Sequence, residues 1–293
     1  MLNPPLSLLS DDLLSYIVEH VAKLRFASSN LYNLSITDRA FTRFCQTYLF
    51  KNLRLGYGLE TNSVISKKLA KIRNILNDEP SIVDRVRAVH LCVTNRRNKW
   101  LFNDPDFITI IELLAKSLMP PHKLYLTGDL DSFIIEGPIL VVERLNQSFF
   151  SQTLTFLYLT DCMNVPLTLF LVCPNLREVY LDGVGVFESG DNEYPDEQHS
   201  GRELPALEIL SFCFSESLVK QMITPPPDFS IAVVNWLKLR VLKLCPRAKE
   251  EMLLLQPILD VAWNTLEELH LTELGTMLGM GGKTWLFLSM TQF

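Results

Sequence analysis

The chain has 293 residues, enough to bury a large core, and 48% hydrophobic with 20% charged residues excludes a disordered polymer. A net charge of −6 excludes a general electrostatic footprint for nucleic acid. The charge is uneven: from Lys51 to Lys99 eleven Lys and Arg stand against four Asp and Glu, a local +7 that leaves −13 elsewhere, and this segment reads as a solvated basic helical connector.

The first predicted element is a helix opened by Ser10, a good N-cap, with Asp11 and Asp12 where the helix dipole favours negative charge. Leu13, Leu14, Ile17, Val18 and Val21 follow at helical spacing on one face. Leu31, Leu34 and Ile36 mark a short second helix. Asp38 can cap a third, whose apolar face is Phe41, Phe44, Cys45, Tyr48 and Leu49. Three helices in some fifty residues make a marginal core, the kind that a partner or a neighbouring domain stabilises. The N-terminus is no signal peptide, since it lacks a basic start and Asp11 and Asp12 interrupt the apolar run. No stretch is long and charge-free enough to span a bilayer. The six scattered cysteines read as small hydrophobes in a reducing compartment, so a cytoplasmic or nuclear protein is expected.

The run from Leu9 to Ile17, then Leu31-x-x-Leu34-x-Ile36, Asp38-Arg39-x-Phe41 and Leu49-Phe50, resembles the F-box motif in the form common among fungal F-box proteins. The resemblance covers roughly residues 6–55, and Ser10 stands where the family usually has proline. It implies binding to the Skp adaptor of cullin-type ubiquitin ligases. The matching contact positions are Leu9, Ser10, Leu13, Leu14 and Ile17, with Leu31, Leu34 and Ile36. Against this stands the plainer reading that these residues only close a helical bundle on the following domain.

From residue 86 onward one pattern, apolar-x-x-apolar-x-apolar, returns at intervals of roughly 22 to 35 residues. It begins at Val86, at Pro121 in weaker form, and at Leu154, Leu176, Leu207, Leu239 and Leu266. Helical stretches fit between: Phe107–Leu118, Ile139–Asn146, Pro166–Val172 and Glu250–Trp263. One strand plus one helix cannot bury its own apolar face, so the units must stack. These repeats resemble the divergent leucine-rich repeats that often follow an F-box. The expected fold is α/β: a three-helix F-box-like module (1–55), a basic helical connector (56–85), and an irregular leucine-rich-repeat solenoid (86–293) with a curved parallel sheet and helices on its convex side. A doubly wound α/β domain is the alternative, but nothing here resembles its glycine-rich phosphate turn.

Strand side chains alternate, which predicts a central outward column His90, Tyr125, Tyr158, Tyr180, Ser211, Lys243, His270. The column two residues earlier reads Ala88, Lys123, Phe156, Glu178, Ile209, Val241, Glu268. Tyr125, Phe156, Tyr158 and Tyr180 would form an exposed aromatic ladder, suited to anchoring a protein substrate. The acidic, turn-rich stretch Phe187–Glu203 reads as a surface loop, or as a lip selecting basic peptides. Gly279-Met280-Gly281-Gly282-Lys283-Thr284 ends like a phosphate-binding loop, but Met277 stands where that pattern needs glycine. Apolar Trp285, Leu286, Phe287, Leu288 and Phe293 fall where a solenoid needs a polar cap, so the repeat domain is expected to lack one.

No zinc-protease helix pair or serine nucleophile elbow occurs, and no catalytic residue, cofactor or metal is expected. The functional expectation is a substrate-recognition subunit of a Skp–cullin–F-box ubiquitin ligase, its partners a Skp-type adaptor, through it a cullin, and a protein target. Two alternatives stand beside it: a leucine-rich-repeat interaction scaffold with no ubiquitin role, and a binder of RNA or acidic ligands through the basic 51–99 segment.

Overall fold

The computed structural model describes residues 9–56, 61–92, 98–128, 150–186, 203–224, 233–245, 253–272 and 285–289. Three helices come first: α1 (Asp11–Ala22), α2 (Ala27–Thr37) and α3 (Arg39–Leu49). The Ser10 hydroxyl accepts from the Leu13 N–H at 3.4 Å, and the Asp38 carboxylate accepts from the Ala40 N–H at 2.9 Å, so both expected N-caps are formed. An Arg43–Asp11 ion pair ties α3 to the first turn of α1. Among the described residues the core of these helices is Leu14, Val18, Leu31, Phe41 and Cys45, with Leu9, Ile17, Leu34 and Phe44 among those packed around them.

The chain then enters a single nine-stranded sheet whose strand order follows the sequence. The strands are β1 (Asn52–Leu55), β2 (Ala88–Cys92), β3 (Lys123–Thr127), β4 (Phe156–Thr160), β5 (Glu178–Asp182), β6 (Ile209–Cys213), β7 (Val241–Cys245), β8 (Glu268–Thr272) and β9 (Trp285–Ser289). The first eight are parallel neighbours and β9 pairs antiparallel with β8. A doubly wound sheet would reverse its strand order partway, and none of these steps does. The arrangement is a solenoid-like α/β fold, each unit leaning on the next.

Burial along most strands alternates, with Leu124 and Leu126, Leu157 and Leu159, Val179 and Leu181 on the buried face. Against that face pack α4 (Asn62–Asp78), the short α5 (Pro80–Val83), α6 (Pro105–Ala115), α8 (Thr168–Leu171), α9 (Glu216–Ile223) and α10 (Leu255–Ala262), while α7 (Phe150–Thr153) is one short turn before β4. Ile65, Leu69, Ile110, Leu114, Phe170, Leu218 and Ile258 join the strand leucines in one continuous core. That core shares no residue with the five in the helical unit.

Two devices repeat at the strand ends. At each of the seven parallel steps, the carbonyl just before one strand accepts two successive N–H groups from the start of the next. Lys51 receives Arg87 and Ala88, His122 receives Thr155 and Phe156, and Arg240 receives Glu267 and Glu268. At the other end the chain turns off through the left-handed region at Gly56, Asp161, Gly183 and Phe214. A Cβ at Gly56 would strike the Cys92 carbonyl oxygen, so a short turn in close contact with β2 requires glycine there. The same register therefore recurs across sequence spacings that differ widely.

Two boundaries differ from expectation. Residues 52–55, assigned to the helical module, are the first strand of the sheet. The segment 56–85 is not a connector: Ile65, Leu69, Leu76, Ile82 and Val83 are buried in the sheet's core, because α4 and α5 are the return path of the first unit. Beyond β8 the last described strand, β9, pairs antiparallel along its far edge. The helix expected at Ile139–Asn146, most of Phe187–Glu203, the glycine-rich 279–284 stretch and Phe293 lie outside the described residues. Among the described residues no helix is long and apolar enough to cross a membrane.

Candidate functional site

Two surfaces hold the residues singled out by sequence. On the helical unit the eight candidates divide by burial. Leu13 is 45% exposed and Ile36 is 67% exposed. Leu9, Ile17 and Leu34 are half-buried, and Ser10 is exposed and engaged as the α1 cap. Leu14 and Leu31, expected at the surface, are 4% and 3% exposed, because a bundle this small uses them as core. Sequence reasoning passed over two aromatic rings that lie in the open, Tyr16 and Tyr32. Their spacing was the available signal: Tyr16 falls one turn after Leu13, and Tyr32 one turn before Ile36. The exposed apolar side chains on these helices include Leu13 and Tyr16 on α1 and Tyr32 and Ile36 on α2.

The second surface is the face of the sheet away from the helices. The register aligns His90, Tyr125, Tyr158, Tyr180, Ser211, Lys243 and His270 in one row, as alternation predicts. It aligns Lys123, Phe156 and Glu178 beside them. The rings meet: Tyr125 and Phe156 at 5.0 Å between centroids, Tyr125 and Tyr158 at 5.9 Å, Phe156 and Tyr180 at 5.2 Å, Tyr158 and Tyr180 at 6.2 Å. His90 continues the row, stacked on Tyr125 at 4.0 Å with the planes 2° apart. The Lys123 ammonium sits 4.9 Å from the Phe156 ring centre. The ladder is half-buried rather than exposed as expected, since each ring is partly covered by its neighbours.

Partial burial and nearby charge act on these groups. Burial, then the Glu178 carboxylate, pushes the Tyr125 hydroxyl pKa up, and Tyr180 is raised by burial, then Glu178, then Tyr125. His90 is lowered, first by burial and then by the Arg54 guanidinium. Arg54 is the register partner of His90 on β1. A repeat pattern taken from Val86 onward leaves Arg54 out, yet Phe50-x-x-Leu53-x-Leu55 carries the same apolar spacing as the later repeats.

The basic 51–99 segment is largely engaged where described. Arg73 pairs with Asp106, Arg85 donates to Gln46, and Arg87 donates to the carbonyls of Asp84, Val86 and Met119. Lys67 and Lys71 lie exposed on α4, as on any solvated helix face. The six cysteines are free. Burial raises the thiols of Cys162, Cys173 and Cys213 to about 12, with a hydrogen bond to Cys245 also raising Cys213, so all three are protonated near neutral pH. Among the described residues no three His, Cys, Asp or Glu side chains gather as metal ligands would. No family model matches the chain, and neither does any curated protein or solved structure.

Proposed function

We propose that this chain is the substrate-recognition subunit of a Skp–cullin–F-box type ubiquitin ligase. In this reading the helical unit is an F-box-like module that docks on a Skp-type adaptor, and the sheet is an irregular leucine-rich-repeat domain that captures a protein target. The observation that carries the reading is the separate, five-residue core of the helical unit. Among the described residues, that core leaves Leu13, Tyr16, Tyr32 and Ile36 exposed and shares no residue with the sheet's core. Large apolar side chains exposed at helical spacing on each of two helices are costly to leave wet, and a helical partner would cover them. The half-buried ladder Tyr125, Phe156, Tyr158 and Tyr180 supports the second half of the reading: aromatic side chains with a polar tip suit a binding surface. The chain would act by tethering, holding its target at high effective concentration near a separate ubiquitin-transferring enzyme.

The test is co-purification of the chain with a purified Skp-type adaptor. Leu13→Asp and Ile36→Asp change exposed positions, so each is expected to abolish adaptor retention while circular dichroism and melting stay as in the parent. Adaptor retention at the parent level by both variants would remove the F-box reading.

A further inference from the structure

The outward face of the sheet is divided by charge. At the β1–β3 end stand Arg54 and Lys123, with His90 between their strands. At β5 stand Glu178 and Asp182. The aromatic ladder runs from β3 to β5, with Lys123 beside Tyr125 on its first strand and Glu178 and Asp182 on either side of Tyr180 on its last. Neighbouring groups register the division: His90 is lowered in part by Arg54, and His122, at the strand-entry edge, is lowered by burial and then by Lys123, Arg87 and Lys51. Tyr125 and Tyr180 feel the opposite sign from Glu178. Among the described residues Arg54, Glu178 and Asp182 make no ion pair with one another or with any other side chain. At the strand entries, by contrast, Arg177 pairs with Glu208 and Arg240 with Glu267, and beyond β5 the outward row carries the cation Lys243 on β7. Two unpaired blocks of opposite sign flanking an apolar strip call for a ligand of the reverse polarity.

We infer that the sheet face takes an extended peptide segment lying across the strands, with an acidic residue over Arg54 and Lys123, apolar or aromatic residues over the ladder, and a basic residue over Glu178 and Asp182. The proposal rests on reading the ladder as the capture surface, and does not depend on adaptor docking. Spacing sets the length. Arg54 and Asp182 are four strands apart, about 19 Å at the usual inter-strand distance, which extended chain spans in about five or six residues. A single-stranded nucleic acid fits the face less well. Its phosphates would meet Glu178 and Asp182, and the ladder offers it little free ring surface, since His90 and Tyr125 already stack on each other and the other rings tilt against neighbours.

The test is fluorescence anisotropy of the full chain with three labelled probes. They are the peptide Glu-Glu-Leu-Phe-Leu-Ser-Lys-Lys, a counterpart with serines at both ends, and oligouridylate. The two-signed peptide is expected to bind about tenfold more tightly than the serine-ended one. Arg54→Glu is expected to weaken it about three- to tenfold, and Lys-Lys-Leu-Phe-Leu-Ser-Lys-Lys to recover that loss on the variant. Glu178→Lys gives an independent arm, weakening the two-signed peptide and recovered by Glu-Glu-Leu-Phe-Leu-Ser-Glu-Glu. No saturable peptide binding, equal affinity for the serine-ended peptide, absence of recovery, or tighter binding of oligouridylate would each overturn the proposal. If both peptides bind equally and Tyr158→Ala abolishes both, the ladder stands as a capture surface and only its charge selectivity is lost.

Discussion

The helical unit and the sheet dispose of their apolar side chains in opposite ways. The sheet runs one uninterrupted core from Leu55 to Leu269, and every helix packed on it adds to that core. The helical unit closes around five residues and leaves rings and aliphatic chains in water. Size explains the contrast: three short helices have too little interior to enclose all their apolar groups, whereas stacked units share theirs with both neighbours. The difference teaches where the two regions leave apolar surface. The sheet is covered on its helix-packed face, while the helical unit keeps Leu13, Tyr16, Tyr32 and Ile36 exposed, and it is there that the proposed adaptor would dock.

The sharpest way to break this comparison is to empty each core in turn. Phe170→Ala in the sheet is expected to cost about 4 kcal/mol and Leu14→Ala in the helical unit about 2–3 kcal/mol. Urea melts followed by circular dichroism should show the second variant losing helix before the sheet unfolds. One shared midpoint for both variants would mean the two cores melt as one. Gly56→Ala tests the junction between the regions. Its positive φ and the approach of the Cys92 carbonyl predict a cost of about 2 kcal/mol, read as a lower melting temperature. Asp38→Ala removes the cap of α3 and should cost about 1 kcal/mol, with the loss confined to helical signal.

The smallest effect is a pH dependence that belongs to the sheet alone. Burial and Arg54 hold the folded-state pKa of His90 below its ordinary value of 6.5, and His122 is lowered likewise. Below about pH 6.5 the unfolded chain binds the more protons, so this contribution is present at neutral pH and fades as pH falls through the depressed folded values. Melting temperatures measured from pH 7.5 down to 5 should decline, and His90→Gln should make the decline shallower. An equal slope in the variant would show that His90 is not its source.

Much of the sheet was legible before any coordinates. The spacing that begins at Val86, Leu154, Leu176, Leu207, Leu239 and Leu266 locates strands whose side chains alternate, and the outward columns read from it are the ones the register aligns. The weaker start at Pro121 still located β3, because Leu124 and Leu126 keep the alternation. β1 was hidden by its position, since Leu53 and Leu55 directly follow a helix that ends on Leu49 and Phe50. α9 went unpredicted because Leu218, Val219 and Met222 show helical spacing over barely two turns. The candidate sites were harder to read. Leu13 and Leu14 are neighbours of identical type, and periodicity alone does not say which of them a crowded bundle will enclose.

Local chemistry in the sequence by itself determined the caps at Ser10 and Asp38, the alternation along each strand and the rows in which His90, Tyr125, Tyr158 and Tyr180 fall, because these depend on residue type and on spacings within a few positions. Tertiary structure alone decided that Leu14 is enclosed while Leu13 is not, that β1 and α4 belong to the sheet, and that Arg54 stands beside His90 across a strand pair. Those outcomes come from contacts between segments distant along the chain, where competition for a limited interior settles what is buried.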